Sequence, residues 1–359
     1  MMPPIMGAAA FLMAEFTGIP YARIALAGVL PALLYFSGVG IGVHLEARRT
    51  GLQGLPVDRV PKFWPVVRKQ GYLILPLLAL IFIMASGATP NKAALVAMAS
   101  AILITAFSRR TRLGIKDIID ILESAARGAL SVVAATAAAG MIVGTITLTG
   151  LGLKMGNGLV ALAGGNLYFT MFLTMIASLI LGMGAPTTAN YIITSTIAAP
   201  ALIKLGVPLL AAHMFVFYFG IVADITPPVA LAAYAGAGIA KGNPMRTGVN
   251  ATKLAIGAFL IPYMFVMSPQ LLLIDVSFLG AIRVGLGALI GMLAVEAAVQ
   301  GWLAKQTSIV ERILLLAAGL MMIDPGVVSD MIGFPLFLAI FLFQRMVIRR
   351  DQKTAAGAN

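Results

Sequence analysis

The chain is a succession of apolar stretches separated by short polar segments. The predicted spans lie at residues 22–43, 71–88, 91–108, 128–150, 254–268, 278–300, 308–323 and 331–347. Several of these stretches reach or approach the roughly 20 residues that an α-helix needs to cross the hydrocarbon of a bilayer. The pattern therefore predicts an all-α polytopic membrane protein.

Two further apolar stretches are interrupted by residues that do not continue a helix comfortably. The first break is 182–190 (GMGAPTTAN) and the second is 223–228 (ADITPP). Glycine and proline free backbone N–H and C=O groups there, and hydrocarbon cannot satisfy them. Such breaks occur in membranes only where protein buries them or where they line a polar cavity. We therefore predict a re-entrant hairpin at 166–203 and a broken helix at 209–240, which meet near the membrane midplane.

Lysine and arginine cluster in the segments that separate the spans. These segments are 45–70, 109–116, 241–253 and the tail at 345–353. By the positive-inside rule they are cytoplasmic, and the C-terminus is therefore cytoplasmic too. The parity of the spans agrees with this assignment, provided that the hairpin enters and leaves on one face.

Composition narrows the class of function further. The mean hydropathy is +0.99, and only 11% of the residues are charged, against about 25% in soluble domains. There is no cysteine, and His44 and His213 are the only histidines, so disulfides and Cys- or His-rich metal centres are excluded. We expect both histidines at membrane interfaces. The net charge of +12 follows from the basic loops, so no nucleic-acid partner is predicted.

Residues 115–127 are amphipathic, since their isoleucines share one face while Asp117, Asp120 and Glu123 lie off it. The pattern is typical of an interfacial arm helix or of a plain cytoplasmic connector. Residues 151–165 then form a Gly-rich outer connection between the preceding span and the hairpin.

Residues 3–20 resemble residues 227–244 at a single offset, and each copy precedes a span that contains Pro31 or Pro262. The predicted topology makes the two copies run in opposite senses, as in the inverted repeats of secondary transporters. The first copy lacks its own hairpin, so we expect an incomplete first repeat. A gene fragment, a late start codon or a split gene whose other chain supplies the missing half would each explain it. The predicted units are 1–127 (rest of the first repeat, cytoplasmic loop, two spans and arm helix), 128–270 (second repeat) and 271–359 (three-span extension and basic tail).

The two breaks carry the candidate chemistry. A hard cation such as Na⁺ takes carbonyl, hydroxyl and carboxylate oxygens. The predicted Na⁺ ligands are Gly182, Gly184, Thr187 and Thr188 on the hairpin, and Ala223, Asp224 and Thr226 on the facing break. Asp224 is the one acid that the pattern places deep in a span, and intramembrane carboxylates are functional candidates by default. The alternative is that Asp224 caps a half-helix starting at Pro227.

The half-helix that starts near Pro186 directs its positive N-terminal end into the same site, which suits an anionic substrate. The predicted substrate-binding residues are Pro186, Asn190, Thr194, Pro227 and Pro228. For Thr194 the alternative is a hydroxyl bonded back to its own helix.

The segments GMGAPTTANYIITSTIAAPAL and VADITPPVALAAYAGAGIAKGNPMRTG resemble the large permease subunit of TRAP transporters, and so do MPPIMGAAAFLMAEFTGIPY and VHLEARRTGLQGL. The resemblance covers residues 1 to about 270 and is closest to the fused permeases that work with TAXI-type binding proteins. It implies an elevator-type, sodium-driven importer in a bacterial or archaeal inner membrane. The implied partners are a periplasmic TAXI-type binding protein, an organic acid anion such as a dicarboxylate or glutamate, and membrane lipids.

Two other functional hypotheses are compatible with the sequence. The first is an intramembrane enzyme acting on a lipid, for which Asp117, Asp120 and Glu123 are the only acidic cluster. The second is a membrane protein that no longer transports.

Overall fold

The structure is a computed structural model that describes residues 6, 8–54, 56, 60, 62–107, 114–323 and 326–356. The regular elements of this part of the chain are helices, apart from an isolated β-bridge between Trp302 and Gln306. The proline pair at residues 3–4, which opens the first copy of the repeat, lies outside the described residues.

The helices fall into two groups along the chain. The first group is α1 (Ala9–Thr17), α2 (Tyr21–Thr50), α3 (Phe63–Gln70), α4 (Leu75–Ala85), α5 (Pro90–Phe107), α6 (Ile115–Thr149) and α7 (Leu151–Leu162). The second group is α8 (Leu167–Gly182), α9 (Thr187–Ile197), α10 (Ala199–Lys204), α11 (Leu209–Val222), α12 (Leu231–Ala240), α13 (Pro244–Leu254), α14 (Ile256–Met267), α15 (Phe278–Gln300), α16 (Ile309–Ile323) and α17 (Val327–Ala356).

Five helical segments of the described chain are long and apolar enough to cross a membrane. They are Tyr21–Thr50, Phe63–Met84, Pro244–Met267, Phe278–Gln300 and Val328–Arg350. Shorter apolar helices, among them α8 and α11, accompany them. The predicted all-α polytopic membrane fold is confirmed.

Helix α11 forms the centre of the core. Its residues are buried on every side, including Phe215, Tyr218 and Phe219. A helix that is apolar all round lies inside a protein or a membrane rather than at a surface. Helices α8, α9 and α14 surround α11, so the chain places the hairpin and the broken helix together at its centre.

Helices α2 and α15 run side by side in the same direction. An added Cβ at Gly38 would lie 3.0 Å from Met292 Cγ, and one at Gly42 would lie 2.7 Å from Glu296 Oε2. The pairs advance together along both helices, so the two helices are parallel. Because α16 and α17 pack against α15, the C-terminal helices are attached to the rest of the protein through α2.

The second helices of the two repeat copies run in opposite directions. Gly42 on α2 faces Leu254 at 3.3 Å, and Gly38 and Gly257 both face Met292. Residue numbers that rise along α2 therefore meet residue numbers that fall along α13 and α14, so the chain runs antiparallel there. This antiparallel relation is compatible with an inverted repeat.

Three local predictions differ from the structure. The sequence predicts residues 63–70 in the cytoplasmic segment 45–70, but they form α3, the start of the candidate span Phe63–Met84. Residues 115–149 form the single helix α6 rather than an arm followed by a separate span, and residues 151–162 form α7 rather than an irregular connection. Neither of these last two segments contains proline, and glycine lowers helix propensity by only about 1 kcal/mol, so the glycines do not end these helices. The predicted unit boundary at 127/128 falls inside α6.

Candidate functional site

The first break is a tight turn between α8 and α9. Gly184 has a φ of 73°, a left-handed conformation that glycine adopts without strain. Pro186 is the N-cap residue of α9, and no side chain caps that helix. The first N–H groups of α9, beginning at Thr187, are therefore available to a ligand.

Both limbs of this hairpin end beside α7. Lys204, the last residue of α10, donates a hydrogen bond to Asn157 Oδ1 at 2.7 Å. Asn166, the N-cap residue of α8, follows α7 closely in the chain. Helix α8 has 16 residues and is roughly 24 Å long at 1.5 Å per residue, which is short of the roughly 30 Å hydrocarbon thickness of a bilayer.

The second break follows α11 and contains a short 3₁₀ turn, Ala223–Ile225. The Pro227–Pro228 peptide bond is cis, and Ala230 is left-handed with a φ of 38°. Helix α12 begins only at Leu231, with Ala230 as its N-cap residue. The alternative that Asp224 caps a half-helix starting at Pro227 is therefore wrong.

Side-chain hydroxyls satisfy several of the carbonyls that the second break frees. The bonds run from Thr226 Oγ1 to Val222 O (2.7 Å), from Thr252 Oγ1 to Ile225 O (3.1 Å) and from Tyr234 Oη to Pro228 O (2.7 Å). The half-buried Asp224 carboxylate, in contrast, has no hydrogen-bond or ion-pair partner among the described residues. It is the acidic group that this break leaves for a ligand.

The first break lies against the end of α11, shortly before the second break. A Cβ on Gly182 would lie 2.5 Å from Gly220 O and 2.8 Å from Asn190 Nδ2. A Cβ on Gly220 would overlap the Asn190 amide. Only glycine fits at either position, so the backbones of α8 and α11 meet with Asn190 of α9 inserted between them. Sequence reasoning missed Gly220, although it is the one glycine in the apolar run of α11.

Asn190 is 1% exposed and joins the three helices. Its Nδ2 donates a long hydrogen bond, 3.4 Å, to Gly182 O, while its Oδ1 has no partner in the described part of the chain. A buried amide oxygen without a partner is costly, so this position favours a ligand that an oxygen can bind.

A row of buried hydroxyls leads along α8 to the same point. Thr174 and Ser178 are fully buried, and neither hydroxyl has a partner among the described residues. They precede Gly182 at four-residue intervals, so all three share one face of the helix. Sequence reasoning missed both, and the four-residue spacing was the signal that could have revealed them.

Thr194, like Thr226, bonds its hydroxyl to a carbonyl four residues back in the chain. Its hydroxyl donates to Asn190 O at 2.8 Å, one turn back on its own helix. The back-bonded alternative is therefore the one that the structure shows, and Thr194 supports α9 next to the site.

The predicted site residues divide by accessibility. Gly184, Pro186, Thr187 and Pro228 are exposed, Thr188, Asp224, Thr226 and Pro227 are partly buried, and Gly182, Asn190, Thr194 and Ala223 are buried. The arrangement therefore has a packed base at the Gly182–Gly220 contact and an accessible rim of hydroxyls, a carboxylate and a helix N-terminus. In the described chain no group of three His, Cys, Asp or Glu residues could hold a metal.

A second intramembrane acid lies outside this site. Glu296 on α15 is fully buried and accepts a hydrogen bond from Gln300 at 3.2 Å, while its Oε1 has no partner in the described chain. Glu296 lies near the C-terminal end of α15, so the prediction that Asp224 is the one acid deep in a span stays a prediction. Glu296 is the only acid in the apolar run 278–300, and that isolation was the signal for it.

Similarity to known families settles the class of protein. Residues 1–279 match the family described as the tripartite ATP-independent periplasmic transporter, DctM component. Residues 281–337 match a domain of unknown function, DUF3394. No curated protein and no solved structure matches the chain. Because the first match covers more than half of the sequence, the chain belongs to the DctM family of TRAP transporter permeases.

Membership in this family has direct consequences for the function. The protein is an integral membrane permease and not an enzyme, so the reading as an intramembrane enzyme is wrong. The family also implies a substrate-binding protein and further transporter components as partners.

Proposed function

We propose that this DctM-family permease couples the inward movement of Na⁺ to the import of an organic acid anion. A periplasmic TAXI-type binding protein delivers the substrate, which is a dicarboxylate or a glutamate-like acid. The observation that carries the proposal is the contact of Gly182, in the first break, with Gly220, at the end of α11 next to the second break. Discontinuous helices that meet in this way form the ion and substrate sites of secondary transporters.

The oxygens at this contact fit a sodium ion. Asn190 Oδ1 is buried and has no partner in the described chain. Thr187 and Thr188, the first two residues of α9, each carry a hydroxyl. Asp224 supplies the one carboxylate on the facing break. Carbonyls of Gly182, Gly184 and Ala223 and the hydroxyl of Thr226 complete the proposed set. A hard cation with mostly neutral oxygen ligands suits these groups.

The same arrangement supports an anionic substrate. The uncapped N-terminus of α9 at Pro186 carries partial positive charge, which attracts a carboxylate. The exposed Pro228 and the neighbouring Pro227 form the facing part of the rim. The Asp224 carboxylate repels an anion, and a bound Na⁺ removes that repulsion. Each ligand therefore increases the affinity of the site for the other, which is the thermodynamic basis of symport.

Sodium-dependent thermal stability of the purified protein tests the ion site. We expect NaCl to raise the melting temperature above its value in KCl of equal concentration, because a ligand that binds only the folded state stabilises it. Asp224→Asn and Thr187→Ala should reduce the difference by half or more. Asp120→Asn, which removes an exposed carboxylate on α6, should leave it unchanged. Equal melting temperatures in both salts for a folded sample would refute the sodium site.

Uptake into proteoliposomes then tests transport itself. With a TAXI-type binding protein and an inward Na⁺ gradient, we expect accumulation of radiolabelled dicarboxylate or glutamate that collapses when K⁺ replaces Na⁺. A sodium-dependent melting shift without uptake would show that the site is intact but that this chain does not transport alone.

A further inference from the structure

A polar cavity lies at the junction between the DctM-matched region and the C-terminal helices. It has a volume of about 270 Å³ and is lined by Glu46, Arg49, Asn250, Lys253, Gln300 and Arg312, together with apolar atoms of Leu254 and Val299. These residues come from α2, α13, α15 and α16. The cavity is separate from the helix breaks and plays no part in the proposed sodium site.

The charges around this cavity do not balance. Arg49, Lys253 and Arg312 face a single carboxylate, that of Glu46, so the lining carries an excess of two positive charges. Arg49 holds Glu46 through two bonds of 2.7 Å, from Nε and Nη2. One positive charge is balanced by Glu46, which Arg49 binds and which Lys253 also attracts at longer range, so two positive charges remain in excess.

The two remaining cations are held in different ways. Arg312 donates from Nε to Ala298 O at 2.7 Å and from Nη2 to Val299 O at 3.0 Å, which fixes the guanidinium against the end of α15. Lys253 has no hydrogen bond or ion pair with any described residue. The cavity thus combines a fixed guanidinium with an exposed ammonium group that makes no hydrogen bond in the described chain.

The position of the cavity indicates the chemistry of that ligand. All four helices meet here at the end that the positive-inside rule assigns to the cytoplasm, and basic pockets between helices on that side hold anionic head groups. Guanidinium and ammonium groups are the usual partners of phosphate oxygens. Leu254 and Val299 give the cavity an apolar wall beside its charges.

We propose that this junction cavity binds a phosphate group and thereby joins the transporter region to the C-terminal helices. An anionic lipid or a soluble phosphate compound can supply that group, since both present the same oxygens. Bound phosphate would bridge Lys253 on α13 and Arg312 on α16, and it would resist their separation.

Titration of the full-length protein in mixed micelles tests the site. Phosphatidylglycerol added to a phosphatidylcholine background should raise the melting temperature, because binding to the folded state stabilises it. For Lys253→Gln we expect the midpoint of the titration to rise about tenfold, as for one lost charge-assisted hydrogen bond. Lys253 makes no hydrogen bond in the described structure, so this variant should fold. Lys69→Gln removes an exposed lysine outside the cavity and should leave the midpoint unchanged.

A second arm identifies the source of the phosphate. Stabilisation by phosphatidylglycerol but not by inorganic phosphate, at matched ionic strength, assigns the site to a lipid head group. Stabilisation by inorganic phosphate that Lys253→Gln weakens assigns it to soluble compounds. The proposal is overturned if neither probe stabilises the wild type, or if Lys69→Gln weakens the effect as much as Lys253→Gln does. Each outcome is independent of sodium binding and of transport.

Discussion

Two buried tyrosines in the same core differ in one respect, the partner of the hydroxyl group. Tyr191 on α9 lies 2.7 Å from His213 Nδ1 on α11, whereas the hydroxyl of Tyr218 has no partner in the described chain. Both side chains are 0% exposed. The hairpin covers His213, and the Tyr191 hydroxyl is the partner of its ring nitrogen. The placement of His213 at a membrane interface stays a prediction.

This difference predicts how the loss of each tyrosine hydroxyl changes the stability of the protein. Tyr191→Phe should destabilise the protein by about 1–3 kcal/mol, because it leaves a buried imidazole nitrogen unsatisfied. Tyr218→Phe removes a hydroxyl that has no bond to lose, so it should be neutral or stabilising. The melting temperatures of both variants check this, and equal losses would show that Tyr218 has a partner in the folded protein.

At the scale of helices, the packing depends on glycines that let two helices approach closely. Sequence reasoning attributed the glycines of the hairpin tip to a helix break, and Gly184 fulfils that role. Gly182 and Gly220, however, are required because a Cβ at either would meet the neighbouring backbone or the Asn190 amide. The same reason applies to Gly42 on α2, which accommodates the buried carboxyl of Glu296.

Two glycines on α2 form a matched pair for testing this packing. Gly42→Ala would place a Cβ 2.7 Å from Glu296 Oε2, whereas Gly40→Ala would meet nothing within 4 Å. We expect Gly42→Ala to cost about 1–3 kcal/mol through overpacking, and Gly40→Ala to stabilise slightly, because alanine favours the helix. Thermal unfolding in detergent measures both. Equal effects would refute a tight contact between α2 and α15.

At the scale of the whole molecule, helix packing brings basic residues that are distant in sequence to the same end of the helices. Arg49, Lys253 and Arg312 are distant in sequence, yet they line one cavity. The parallel course of α2 and α15 puts the start of α15, at Ser277, toward the opposite end. The charge pattern predicts that the basic end is cytoplasmic.

Because the chain contains no cysteine, single cysteines can test this orientation without further changes. We expect Thr50→Cys to react with a membrane-impermeant maleimide only after permeabilisation, and Ser277→Cys to react in intact cells. A re-entrant hairpin also requires Lys204→Cys to react in intact cells. Labelling of Lys204→Cys only after permeabilisation would mean that the hairpin crosses the membrane completely.

The sequence alone determined the membrane class, most of the helices and the location of both breaks, because hydropathy and the glycine and proline positions act locally along the chain. It also indicated the family, through the long motifs around Thr187 and Asp224. The roles of single side chains depended on neighbours that are remote in sequence. Gly220, Ser178 and Glu296 were missed for that reason.

Only the tertiary structure decided which groups meet. It showed that Asn190 fits between Gly182 and Gly220, that Tyr191 bonds His213, and that α6 continues through the expected boundary at residue 127. Local pattern fixes where a helix can begin or break, since backbone hydrogen bonding is local. The partner of a buried polar atom is fixed by the packing of distant helices, which no single stretch of the sequence contains.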